Sequence, residues 1–125
     1  MIITVCDGGF SICRFGSIPD ANSIPDPFFL AGTSEEVSLV CRSSCVPDGA
    51  EDVSAGWTLL RVEGPLDFSM VGVISGISSA LADAGVSIFA VSTYLTDYLL
   101  VRDGDLQAAC DALRSGGYVV RRDPE

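Results

Sequence analysis

The chain has 125 residues, a mass of 13.1 kDa and a net charge of −10, with 7 Lys+Arg against 17 Asp+Glu and a pI of about 4.1. That length fits one domain, or two very small ones sharing a sheet, and the charge excludes a nucleic-acid binder or a protein that docks on an anionic membrane, both of which need a basic face. A hydrophobic content of 48% and a mean hydropathy of +0.42 exclude wholesale disorder.

The N-terminal half reads as strands and loops. Ile2 to Cys6, Phe10 to Phe15, Phe28 to Gly32 and Val37 to Cys41 are strand-like. A Pro-, Asp- and Ser-rich loop from Gly16 to Pro27, with Ile-Pro-Asp at 18–20 and again at 24–26, stands where a first helix would lie. Cys45 to Val53 is a second loop with room for one helical turn.

The C-terminal half has fuller punctuation. Trp57 to Glu63 is a short strand ending at Gly64-Pro65. Gly64 to Ser69 turns into a helix that Asp67 or Ser69 can cap through a side-chain oxygen. Val71, Ile74, Ile77, Ser78 and Leu81 make its apolar stripe, and Gly85 ends it. Val86 to Ser92 is a β-branched strand, Thr93 to Thr96 a turn, and Asp97 to Val101 the next strand. Asp105 caps a second helix whose Leu106, Ala109, Cys110 and Leu113 recur at helical spacing; Gly116-Gly117 stops it. Tyr118 to Val120 is the last strand, and Arg121 to Glu125 reads as a frayed tail. The order β-α-β-β-α-β defines an α+β, ferredoxin-like unit, an antiparallel sheet with both helices on one face. Thr33 to Val40 weakly echoes Thr93 to Val101, with one gap, which suggests two copies of one unit, the first without long helices.

There is no histidine, which removes the commonest general base and metal ligand. An enzyme would have to use a Cys or Asp nucleophile with a shifted pKa, and no base stands ready for one, so no catalysis, metal or cofactor is expected. The five cysteines, at 6, 13, 41, 45 and 110, contain no C-x-x-C pair; they read as small buried hydrophobes of a reducing compartment, with a redox role for Cys41 and Cys45 left open. The acidic cluster Asp48, Glu51 and Asp52 fits no Ca²⁺-loop spacing and reads as a solvated loop. Met1 to Val5 meets Asp7 and two glycines before a signal-peptide core can form, and no apolar run reaches the ~18 residues of a membrane helix, so a cytoplasmic location is expected.

The motifs RVEGPLDFS (61–69), SIFAVSTYLTDYLLV (87–101) and, more loosely, EEVSLVC (35–41) resemble those of small bacterial tandem ACT-domain proteins. The ACT modules of that group are similar to those of the CASTOR arginine sensors and of the aspartate kinase regulatory domain. The resemblance covers residues 9–120 or so and divides the chain into a degenerate ACT-like unit at 1–55 and an ACT domain at 56–122. It implies a non-catalytic regulatory module that binds a small ligand, often an amino acid, forms a homodimer and acts through a protein effector. It implies a ligand at the loop between the first strand and first helix, here Gly64, Leu66, Asp67, Phe68 and Ser69, facing a segment here formed by Ile88, Phe89, Thr93, Tyr94, Thr96 and Asp97.

The chemistry of those residues suits a zwitterion. Backbone N–H groups where a strand turns into a helix donate to a carboxylate, with Ser69 as a further donor; the same turn also reads as plain capping. Asp97 is the candidate partner for an ammonium, or a turn-closing aspartate. Tyr94 and Phe89 can line a side-chain pocket, although Phe89 also suits a core. A second function class stays open, an interaction or assembly module that kept the scaffold and lost the pocket.

Overall fold

The computed structural model describes residues 1–63 and 72–123. Among them are eight strands and two α-helices, an α+β fold, in two compact units: Gly8–Trp57, and Met1–Asp7 together with Thr58–Glu125.

In the unit Gly8–Trp57 the strands are β2 (Phe10–Phe15), β3 (Phe29–Gly32), β4 (Val37–Arg42) and the first half of β5 (Asp52–Val62). They lie in the order β3-β4-β2-β5, all antiparallel. Cys13, Phe15, Val37, Leu39 and Cys41 point to one side and bury Ile24 from the long loop. That loop contributes only a 3-10 turn at Ala21–Ser23, whose start is closed by Asp20 accepting from the Asn22 amide at 3.0 Å; a second 3-10 turn, Ser43–Cys45, follows β4. The sheet order is that of a ferredoxin-like unit with short turns in place of both helices.

The other unit contains β1 (Ile2–Val5), the second half of β5, α1 (Val73–Asp83), β6 (Phe89–Ser92), β7 (Asp97–Arg102), α2 (Leu106–Ser115) and β8 (Val119–Arg122). Its sheet runs β6-β7-β5-β1-β8, with β1 antiparallel to β5 and parallel to β8. One sheet face is apolar: Ile3, Val5, Leu60, Val62, Leu99, Val101 and Val120 meet Ile77 and Leu81 of α1 and Ala109, Cys110 and Leu113 of α2. Both helices therefore lie on one face, as the alternation of the strands and the 3.6-residue stripes require. Each helix ends on a glycine at positive φ, Gly85 at 74° and Gly117 at 92°, and the next amide turns back to the helix, Val86 to Leu81 at 2.9 Å and Tyr118 to Leu113 at 3.0 Å.

Several boundaries differ from the sequence reading. The residue at the N-cap of α1 is Gly72, so neither Asp67 nor Ser69, which lie outside the described residues, occupies that cap. Asp105 holds the N-cap of α2 but makes no side-chain cap bond. The strand before Ser92 begins at Phe89, and β5 begins at Asp52 rather than Trp57. Arg121 and Arg122 are not a frayed tail: they pair with Thr4 and Val5 of β1.

Candidate functional site

The hairpin β6–β7 positions the described part of the predicted site. Ser92 pairs with Asp97, and the four residues between them close a turn in which the Thr93 amide and hydroxyl both donate to the Thr96 carbonyl at 2.9 Å. The Asp97 carboxylate accepts from the Ser92 hydroxyl at 2.6 Å. Asp97 thus closes the hairpin by a side-chain pair across the turn, not by bonding its own backbone. Thr96 is 8% exposed, and its hydroxyl donates to the Val62 carbonyl at 2.7 Å. This bond ties the turn to the end of β5, one residue before Glu63 and two before Gly64. Tyr94 and Leu95 stand at the tip, 78% and 61% exposed. Ile88 and Phe89 are half-buried; Ile88 packs against the core beneath, and Phe89 pairs with Leu100.

Of the predicted site residues, the structure thus gathers Ile88, Phe89, Thr93, Tyr94, Thr96 and Asp97 on one hairpin and its lead-in, while Gly64, Leu66, Asp67, Phe68 and Ser69 lie outside the described residues. The hydroxyls of Thr93 and Thr96 already donate to backbone carbonyls, so they fix the corner's shape. Sequence reasoning missed Ser92. The signal was its place at one end of a hairpin whose other end is Asp97.

The same turn recurs in the other unit. Gly32 pairs with Val37, and the Thr33 amide donates to the Glu36 carbonyl at 2.9 Å. Thr33 corresponds to Thr93 and Val37 to Asp97 without a gap, and a 3-10 turn follows each hairpin, at Ser43–Cys45 and Asp103–Asp105. The cross-strand pair is not repeated: there the Ser38 hydroxyl donates to Glu36 at 2.5 Å, two residues away on the same side of the turn. Gly32 and Val37 stand where the other corner has Ser92 and Asp97.

A second polar network lies on the helix-free face of the sheet. The Thr4 hydroxyl donates to Glu63, and Arg61 donates to the same carboxylate oxygen through Nη2 at 3.1 Å and Nε at 3.3 Å. Arg61 Nη2 also lies 3.6 Å from Asp123. The Thr4 hydrogen bond and the guanidinium hold the Glu63 carboxyl below the usual carboxylate range.

All five cysteines are free thiols, four buried and Cys45 half-buried. Burial pushes Cys13 up and Cys41 up to about 11. No group of three or more Cys, Asp or Glu among the described residues is arranged to hold a metal ion, and no described helix is long and apolar enough to cross a membrane.

The two helices on one face of the sheet and the hairpins define a ferredoxin-like α+β module. The ACT-domain family model matches residues 52–115, about half of the chain, and the chain belongs to that family. It is 30% identical over 104 residues to cytosolic arginine sensor for mTORC1 subunit 1 of Rattus norvegicus, a match covering 77% of this chain and 31% of the sensor. The chain therefore spans about a third of the length of that relative. The solved structure of protein Atu0741 from Agobacterium tumefaciens superposes with a TM-score of 0.87 at 28% identity, covering 98% of this chain and 93% of that one. The ligand-free regulatory subunit of aspartate kinase from Thermus thermophilus shares the fold, with a TM-score of 0.66 at 12% identity over 91% of this chain and 95% of that one.

Proposed function

We propose that the chain is a non-catalytic sensor that binds an amino acid at the corner formed by Ile88–Asp97 and the Gly64–Ser69 loop, and that it signals as a homodimer through a protein effector. One observation carries this reading: the two units share a hairpin turn, yet only at the C-terminal corner does a carboxylate–hydroxyl pair, Asp97 with Ser92 at 2.6 Å, span the two strands, the other corner's pair being Glu36 with Ser38 on one side of the turn. The other corner closes without a cross-strand pair, with Gly32 opposite Val37. Asp97 supplies the anion for an ammonium, and the Thr96 bond to Val62 keeps it beside the exit of β5 toward Gly64. The relative that senses arginine supports an amino acid as the ligand class.

The test is a thermal-shift screen against the twenty amino acids and common metabolites. A true ligand at about 100 times its Kd adds roughly 2.7 kcal/mol, several degrees for a domain of this size. The expected outcome is a selective rise that disappears in Asp97→Ala. If no compound raises the melting temperature, the sensor reading fails.

A second reading is favoured by the exposure of Tyr94 at 78% and Leu95 at 61% on the hairpin tip. An assembly module would present such a tip to a protein partner. Tyr94→Ala together with Leu95→Ala would then abolish partner binding, and Asp97→Ala would leave it intact.

A further inference from the structure

The outermost strand of the unit Gly8–Trp57 is β3, Phe29-Leu30-Ala31-Gly32, whose one strand partner among the described residues is β4. The two pair in unbroken register, without a bulge. At the turn that joins them the Thr33 amide donates to the Glu36 carbonyl at 2.9 Å. Hydrogen-bonded pairs alternate along an antiparallel ladder. Counted from Thr33 and Glu36, Ala31 and Phe29 aim their backbone groups at β4, and Leu30 and Gly32 aim theirs outward. Among the described residues no backbone hydrogen bond outside the ladder reaches Leu30 or Gly32.

A charge, a proline or a bulge commonly guards such an edge against pairing. In the other unit the outermost strand β8 ends in Arg121 and Arg122. β3 has none of these guards: its four residues are uncharged, Leu30 is 36% exposed, and Ala31 and Gly32 are exposed as well. The segments on either side are acidic. Asp26 lies three residues before the strand, and Glu35 and Glu36 stand in the turn after it. Among the described residues no arginine lies within ion-pair distance of these three carboxylates. That charge decides between occupants. A second copy paired antiparallel over Phe29–Gly32 sets each Thr33–Glu36 turn beside the other copy's lead-in with Asp26, acid against acid with no cation between. A foreign strand with an apolar centre and basic residues on both sides meets an apolar edge and an acid at each end, whichever way it runs.

We propose that β3 is a docking edge for an extended segment of a protein partner, a short β-prone centre with Lys or Arg on both sides, which joins the sheet as a further strand by bonding to the Leu30 and Gly32 backbone. The proposal rests on the reading that the chain acts through a protein effector, and it is independent of the amino-acid corner.

The experiment titrates the ¹⁵N-labelled full chain with a capped peptide of alternating valine and threonine flanked by two lysines at each end, following amide shifts and amide hydrogen exchange. One control peptide has proline at both central positions, which keeps the charge and removes the donors; a second has glutamate in place of lysine. The expected result is saturable one-to-one binding of the first peptide alone, with exchange slowed at Leu30 and Gly32. Leu30→Lys should weaken that binding at least tenfold with the melting temperature little changed, because the lysine stem covers the same surface and its charge guards the edge. Asp97→Ala, and Tyr94→Ala together with Leu95→Ala, should bind the peptide as the wild type does, so the corner and the hairpin tip stand or fall separately from this edge. Equal binding by the proline control would reveal mere attraction to a chain of charge −10, and exchange unchanged at Leu30 and Gly32 would put the peptide elsewhere. Either overturns the proposal, as does the absence of saturation by about 1 mM peptide. Protection of those two amides that grows with protein concentration in the absence of peptide assigns the edge to a second copy and overturns it too.

Discussion

The Glu63 carboxylate joins β1 to β5 through side-chain hydrogen bonds in the C-terminal unit. It accepts from Thr4, which is 2% exposed, and from Arg61. Its pKa is lowered from 4.5, first by the Thr4 hydroxyl and then by Arg61. A carboxyl held below its unfolded value stabilises the fold at pH values above that value and loses the contribution as pH falls through it. Thr4→Val should therefore cost about 1 kcal/mol at pH 7. The gap between wild type and variant should narrow below pH 4.5, where Glu63 begins to protonate in the unfolded chain. Denaturant melts at a series of pH values read this directly, and a gap that is constant from pH 7 to pH 3 would rule out the linkage. The thiols give a second test. Cys41, pushed to about 11 by burial, and Cys13, also raised, are poor nucleophiles at neutral pH. A thiol reagent at pH 7.5 should label half-buried Cys45 quickly and the other four only in denaturant. Rapid labelling of Cys13 or Cys41 in the native protein would reopen the redox role considered for Cys41 and Cys45.

Among the elements, α1 owes its position to a residue it lacks. A Cβ placed on Gly76 would stand 2.9 Å from the Tyr118 hydroxyl, so the absent side chain makes room for the tyrosine beside β8. Alanine gains about 1 kcal/mol over glycine in a helix interior, and that gain is offset here by the crowded hydroxyl. Gly76→Ala alone should be near neutral, while the same change in a Tyr118→Phe background should stabilise by about 0.5–1 kcal/mol. A double-mutant cycle in denaturant measures the coupling, and strict additivity would show that the tyrosine simply swings aside. Local pattern revealed α1, α2 and both hairpins, because periodicity and turn glycines are encoded within a few residues of where they act. Pattern failed where pairing decides. Asp52 and Val53 read as the end of a loop and Ser54 to Gly56 fall outside the strand read from Trp57; all five are exposed, and they are strand because Asp52, Val53 and Ser54 pair with β2. Arg121 and Arg122 read as tail because their partner, β1, is at the opposite end of the sequence.

At the scale of the whole molecule, the acidic balance sets a tension that no single contact resolves. Charge −10 on 125 residues repels itself at neutral pH. Opposing this are ion pairs such as the Arg14 fork, which reaches Asp52 at 2.6 Å and Glu51 at 2.8 Å. That fork is about half exposed, and exposed pairs contribute little because solvent and salt screen them. Repulsion acts over many pairs and over distances comparable to the screening length, which shrinks from about 30 Å at 0.01 M salt to about 8 Å at 0.15 M. Repulsion should therefore dominate. Raising sodium chloride from 10 to 150 mM at pH 7 should increase the melting temperature by a few degrees. The same titration in Arg14→Gln should show a larger rise, because the variant carries one more unbalanced negative charge and has no local pair for salt to weaken. Scanning calorimetry on both proteins separates the effects. A melting temperature that falls with salt would mean that the local pairs, and not the net charge, govern how this acidic chain holds together.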